Sequence, residues 1–126
     1  MRGILIVTIT TLSIVVLGIS SIVYLDKTAT GLALLLEETL QAVQEEDWGR
    51  AEAMISNSLE RWEMVQRFWS AMINHKEVDE IRTALERSKE YVASQEKAAA
   101  LAELAVAKLL VEHVPEKERP SWSNIL

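Results

Sequence analysis

The side chains best suited to chemistry in this sequence are its two histidines and the carboxylates near them. His75, Glu77 and Asp79 form one short run, and His113 follows at the end of the last apolar segment. Imidazole nitrogens and carboxylate oxygens are suitable zinc or iron ligands, and helix bundles assemble such sites from facing helices. His75, Glu77, Asp79 and His113 are therefore the metal candidates. The spacing works against them, since neither the Glu-x-x-His of bundle metal sites nor the His-Glu-x-x-His of zinc peptidases is present. The plainer reading makes Glu77 or Asp79 the cap of one helix and His75 the cap of the helix before it. A structural histidine–carboxylate network lies between the two. No metal or cofactor is assigned on this basis.

Other catalytic chemistry has even less support. Cysteine is absent, which removes thiolate ligands, thiol nucleophiles, disulfides and a lipoprotein-type anchor. There is no Gly-x-Ser-x-Gly, no Ser-His-Asp order and no phosphate-cradling glycine loop. The remaining carboxylates are interspersed with Lys and Arg, the pattern of solvated helix faces. The expectation is a protein that is not an enzyme.

The elements that carry these residues are legible from composition and periodicity. With 126 residues, four glycines and two prolines, the chain suits one domain and argues against an all-β fold with many turns. Its formal net charge is −6, and Arg2, Asp26 and Lys27 together are net positive, so residues 28–126 hold all of the excess acid. Phosphate binding needs clustered cations, so nucleic acid is excluded as a partner.

Gly3 to Leu25 contains no charged residue. As a helix rising about 1.5 Å per residue it is long enough to cross a hydrocarbon core of about 30 Å. Arg2 and Asp26-Lys27 bound it, and Tyr24 sits where interfacial aromatics settle. A cleaved signal peptide would have a core of roughly 7–15 residues and a better cleavage site than Thr28-Ala29-Thr30-Gly31. Residues 3–25 are read as an uncleaved anchor in the lipid bilayer of the cell membrane. The N-terminal amine and Arg2, set against the neutral Asp26-Lys27 pair, place the N-terminus in the cytoplasm and the domain outside it. At about 100° per residue, Thr10, Thr11, Ser13, Gly18, Ser20 and Ser21 fall on one half of the helix, with Thr8 the exception. Small and hydroxyl residues allow close helix approach in lipid, so Thr10, Ser13, Gly18 and Ser21 are the interaction candidates. Alternatively, the hydroxyls bond their own backbone carbonyls.

Four apolar-periodic segments follow. Leu32, Leu35, Leu36, Leu40 and Val43 mark the first, over 28–44, which can run on from the anchor through Gly31. Glu45-Glu46-Asp47 interrupts it, and Asp47 can cap the second helix, 48–74. There Trp48, Ala51, Ile55, Leu59, Trp62, Val65, Trp69 and Met72 recur at three and four residues, a core stripe that takes three of the four tryptophans. The third helix, 78–93, carries Val78, Ile81, Leu85 and Val92 among many charges. The fourth, 97–113, has only Glu103 and Lys108 charged between Ala98 and Val111, so it should be central or face a partner. Pro115 is expected to stop it.

The fold expectation is therefore all-α: one N-terminal transmembrane helix followed by an antiparallel bundle of about four helices. The units are an anchor at 1–27, a bundle domain at 28–114 and a tail at 115–126. Short connections make neighbours antiparallel. Phe68, Trp69, His75, His113 and the Trp122 tail then lie near the membrane, and the turns near Trp48 and Ser94 lie far from it.

Several short pieces, taken together, resemble a family. They are Glu46-Asp47-Trp48 leading into Ala51-Glu52, Trp62 with Phe68-Trp69, and His75-Lys76-Glu77-Val78-Asp79. Glu90-Tyr91-Val92, Ala102-Glu103-Leu104, Glu112 to Glu118 and the ending Asn124-Ile125-Leu126 complete the set. In these the chain resembles the small N-terminally anchored membrane proteins of endospore-forming Gram-positive bacteria, a domain-of-unknown-function family. The resemblance implies no catalytic residue or cofactor. It does imply a multi-pass membrane protein as a natural partner. The functional expectation is a membrane-anchored helical interaction module, an accessory subunit binding itself or a larger membrane protein. The alternative is an extracytoplasmic ligand- or metal-sensing domain that uses the His75/His113 end.

Overall fold

The computed structural model describes residues 1–118, which form four helices and no strand. They are α1 (Arg2–Gln44), α2 (Trp48–Met72), α3 (His75–Ala93) and α4 (Lys97–Glu118). Each helix packs on its sequence neighbour, and α4 closes the ring by packing on α1. The result is an up-down-up-down bundle, as short connections dictate.

The two turns at one end share a single geometry. The Glu46 N–H donates to the Val43 carbonyl at 3.0 Å and the Asp47 N–H to the Ala42 carbonyl at 2.9 Å. In the other turn, Gln95 donates to Val92 at 3.1 Å and Glu96 to Tyr91 at 3.0 Å. These are Schellman closures, and they put Glu46 (φ 57°) and Gln95 (φ 55°) in the left-handed region that glycine would occupy more cheaply. Lys97 on one turn reaches Glu46 on the other at 3.9 Å. Asp47 caps α2 as expected, its carboxylate accepting from the Arg50 N–H at 3.3 Å.

At the opposite end the cap differs from expectation. Asn74, not Glu77 or Asp79, caps α3, its side-chain oxygen accepting from the Lys76 N–H at 2.9 Å. His75 is the first residue of α3 instead of a cap on α2. Ile73 is extended and buried, which fixes the chain reversal just before Asn74. The physical reason is reach: a cap must precede the first turn, and Glu77 already lies within it.

The core matches the predicted stripes. Leu32 and Leu36 from α1, Ile55, Trp62 and Trp69 from α2, Ile81 and Leu85 from α3, and Leu104 and Val111 from α4 are each no more than 1% exposed. Trp48 is only partly buried at the far end. Thr39, Ser58 and Ser88 are buried, and each hydroxyl donates to the carbonyl four residues back at 2.7–2.9 Å. Such back-bonding satisfies a polar group without a partner helix.

The backbone runs on at two places, one that the sequence left open and one where a stop is expected. α1 is continuous through residues 27 and 28 and through Gly31. Every residue from 1 to 20 is exposed, and burial begins at Ser21 and Ile22. Protein packing therefore starts about one turn before the charge boundary at Asp26. Pro115 does not stop α4, which runs on to Glu118 with Pro115 inside it. A proline removes one backbone hydrogen bond, and here it does so near the helix end, where its buried ring packs toward α1. The expectations for Trp122 and Asn124–Leu126 lie outside the described residues.

Candidate interaction surfaces

The histidine end is the first candidate. His113 is exposed, with Nδ1 3.4 Å from a Glu116 carboxylate oxygen. It shares a cavity of about 30 Å³ with Glu77, Glu80 and Leu110. The antiparallel layout thus brings His113 beside Glu77. His75, exposed on the first turn of α3, and Asp79, on the α3/α4 groove, do not line that cavity. Among the described residues no three His, Asp or Glu are grouped so as to hold a metal ion. Helical rotation separates them in part: at about 100° per residue Glu77 leaves α3 on the side opposite His75 and Asp79, which stand within about 40° of each other.

The polar face of the N-terminal apolar segment is the second. Thr10, Ser13 and Gly18 are exposed and Ser21 is half-buried. The Thr8 and Thr10 hydroxyls donate to the Ile4 and Ile6 carbonyls at 2.8 Å, the self-satisfied arrangement. Around Gly18 there is open space. The register of this face is set by the bundle below it. Thr28 accepts the Trp69 indole N–H at 3.0 Å, and Tyr24 meets the Phe68 ring edge-on at 4.3 Å, so this side of α1 faces α2. Thr10, Ser21 and Thr28 stand above one another to within about 20°, since seven and eleven residues are near-integral turns. The polar face consequently overlooks the bundle's own end, not the open side of α1.

The fourth helix carries what neither candidate does. Its exposed residues from Ala98 to Leu109 are Ala98, Ala102, Ala105, Val106 and Leu109, with no charge among them. On α3 the exposed positions from Lys76 to Glu90 are all charged apart from Thr83. The two charged residues of α4 in that stretch are turned sideways onto neighbours. Glu103 pairs with Arg87 of α3 at 3.7 Å, and Lys108 Nζ lies 2.8 Å from Glu37 of α1 and 3.7 Å from Glu112. The Glu37 hydrogen bond, with the fields of Glu112 and Glu37, raises the Lys108 pKa above its ordinary 10.5 against a smaller opposing desolvation.

Beside this face a groove of about 420 Å³ opens between α1 and α4. Its floor is apolar, with Ala29, Ala33, Leu34 and Pro115. Its rim bears the carboxylates of Asp26, Glu37, Glu112 and Glu116 and, among the described residues, a single cation, Lys108. Sequence periodicity marks α4 as unusually apolar but shows neither the groove nor the Lys108–Glu37 bridge, which join distant parts of the chain. The Asn74 cap does have a signal, because Asn74 with Glu77 three residues later is a capping-box spacing.

The family model that matches this sequence is described as Domain of unknown function (DUF4363), and it matches residues 19–125. The chain belongs to the DUF4363 family. The match takes in the whole bundle and the last turns of the apolar segment, and leaves most of that segment outside. No curated protein and no solved structure matches the chain. Membership in DUF4363 brings no assigned chemistry, so the surfaces above carry the functional argument.

Proposed function

We propose that this DUF4363 chain is a membrane-anchored helical interaction module, an accessory subunit without catalytic activity of its own. One observation carries the reading: the outward face of α4 has no charge from Ala98 to Leu109, on a bundle whose α3 face is almost wholly charged. Charge depletion at the centre of a surface patch is the compositional mark of an interface core. Residues 3–25 supply the anchor, consistent with one N-terminal helix long and apolar enough to cross a membrane and unburied by the rest of the chain. Arg2 and the N-terminal amine favour a cytoplasmic N-terminus, with the bundle on the far side of the cell membrane.

Of the two partner types, a second copy or a larger membrane protein, the register of α1 favours the larger protein for contacts made in the bilayer. A helix that packs on Thr10 and Ser21 stands on the side of α1 that faces α2, above this chain's own bundle. The reading is tested by isolating the tagged full-length protein from its native membranes in mild detergent. A stoichiometric membrane partner is the expected result. A strictly monomeric chain that retains nothing would sink it.

A further inference from the structure

The groove between α1 and α4 specifies the chemistry of what it takes. Among the described residues the rim holds the carboxylates of Glu37, Glu112, Glu116 and Asp26 and one ammonium, Lys108, which Glu37 and Glu112 already hold. A second copy would bring the same excess of negative charge to the contact. Anionic lipid headgroups and nucleic acid would be repelled for the same reason. The floor, however, is apolar, and it lies alongside the uncharged outer face of α4. An apolar floor with an acidic rim is complementary to a helix that has one apolar stripe flanked by Lys or Arg.

We propose that the α1/α4 groove docks a basic amphipathic helix of a partner membrane protein. The inference rests on the accessory-subunit reading and names the partner's recognition element. The position of the groove narrows the source further. Asp26 directly follows the apolar segment, so the docked helix lies close to the membrane surface. Short translocated loops are poor in Lys and Arg, whereas long loops and folded domains are translocated largely regardless of charge. The basic helix therefore belongs to a long loop or a domain of the partner.

The test places a photo-crosslinking amino acid at Leu34, which lines the groove and is 61% exposed, in the full-length protein in its native membranes. Met64, 66% exposed on α2, is the control position. The expected result is an adduct from Leu34 and none from Met64. The joined peptide should come from a different protein and carry Lys or Arg beside an apolar helical stripe. Reversing two exposed rim charges, E112K and E116K together, should lower the adduct yield about tenfold while leaving the protein folded. An adduct to a second copy, an adduct to an acidic or neutral segment, or a yield indifferent to the reversal would overturn the proposal. If a partner co-purifies but Leu34 gives no adduct, the groove inference fails and the accessory-subunit reading stands. If no partner is found by either route, both fail.

Discussion

The two halves of α1 share one continuous backbone, yet the bundle covers only one of them. From Arg2 to Ser20 every side chain is exposed, including Ile9, Leu12 and Leu17. From Leu25 onward, Leu32, Leu36 and Val43 are wholly buried, each enclosed by residues of the other helices. Apolar residues fill both halves, so hydrophobicity alone does not distinguish them. The pattern does: the lower half alternates apolar and charged residues at helical spacing, while the upper half carries no charge on any side. That half is long and apolar enough to cross a membrane, and the described residues bury none of its most apolar stretch. One continuous helix thus joins a half packed in a protein core to a half that the described residues leave uncovered.

That contrast is open to direct attack, and the largest effect should come from the buried side. Trp69→Ala empties a large site in the core and should cost about 3–5 kcal/mol in denaturant unfolding of the full-length protein in mild detergent. Leu12→Ala, in the exposed half, should leave the same transition unmoved. The contrast collapses if the two variants lose similar stability.

A charge should reverse the ranking. Leu12→Lys places an ammonium within the apolar half and should cost roughly 2.5–3.5 kcal/mol of membrane insertion, read as a shift from the membrane to the soluble fraction. Leu34→Lys, equally exposed but within the bundle half, should fractionate like the unaltered chain. An anchor indifferent to Leu12→Lys would end the membrane reading.

Two smaller effects sharpen the account of the bundle itself. The indole N–H of Trp69 donates to Thr28, whereas the buried indole N–H of Trp62 has no hydrogen-bond partner among the described residues. The two rings meet edge-on with centroids 5.5 Å apart, so Phe substitutions remove similar volume from one cluster. Trp69→Phe should therefore cost about 1 kcal/mol more than Trp62→Phe, because it also leaves a hydrogen bond unmade. Equal losses would mean that the Thr28 bond contributes nothing. Asn74→Ala should cost about 1 kcal/mol through loss of the α3 cap, and Asp79→Ala much less. The reverse order would return the cap to the acidic run.

The smallest expected effect is a pH dependence. Lys108 has a raised pKa in the folded protein, mainly from its hydrogen bond to Glu37. Its contribution to stability is therefore complete below the ordinary value of 10.5 and lost as pH rises through the folded pKa. Lys108→Met should unfold with less alkaline sensitivity than the unaltered protein. Because Lys108 is about one-third exposed, salt should shrink the difference. Identical alkaline profiles would show that the bridge is silent.

Much of the fold is legible in the sequence because helices are local. The stripes through Leu32–Val43, Ala51–Trp69, Val78–Val92 and Ala100–Val111 are periodic in sequence, and helical burial follows periodicity. The Asp47 cap needs only its immediate neighbours. Sequence and structure part where a local rule has competition. Pro115 would stop an isolated helix, but α4 has enough contact with α1 to continue for another turn. Asn74 is less conspicuous than the carboxylates that follow it, yet it alone precedes the first turn of α3.

The candidate site is far less legible, and for one physical reason. The sequence by itself determined the all-helical class, the apolar span, the charge-poor fourth helix and the absence of cysteine chemistry, all of which depend on residues near one another in the chain. Only the tertiary structure decided that α1 is unbroken from apolar segment to core, that its polar face overlooks its own bundle, and that His75 does not line the cavity His113 shares with Glu77. It also decided that Glu37, Lys108 and Glu112 meet over an apolar groove. These outcomes depend on the rotation of each helix about its axis and on the closing of α4 against α1. Both are set by packing among segments far apart in sequence, which periodicity within one segment does not encode.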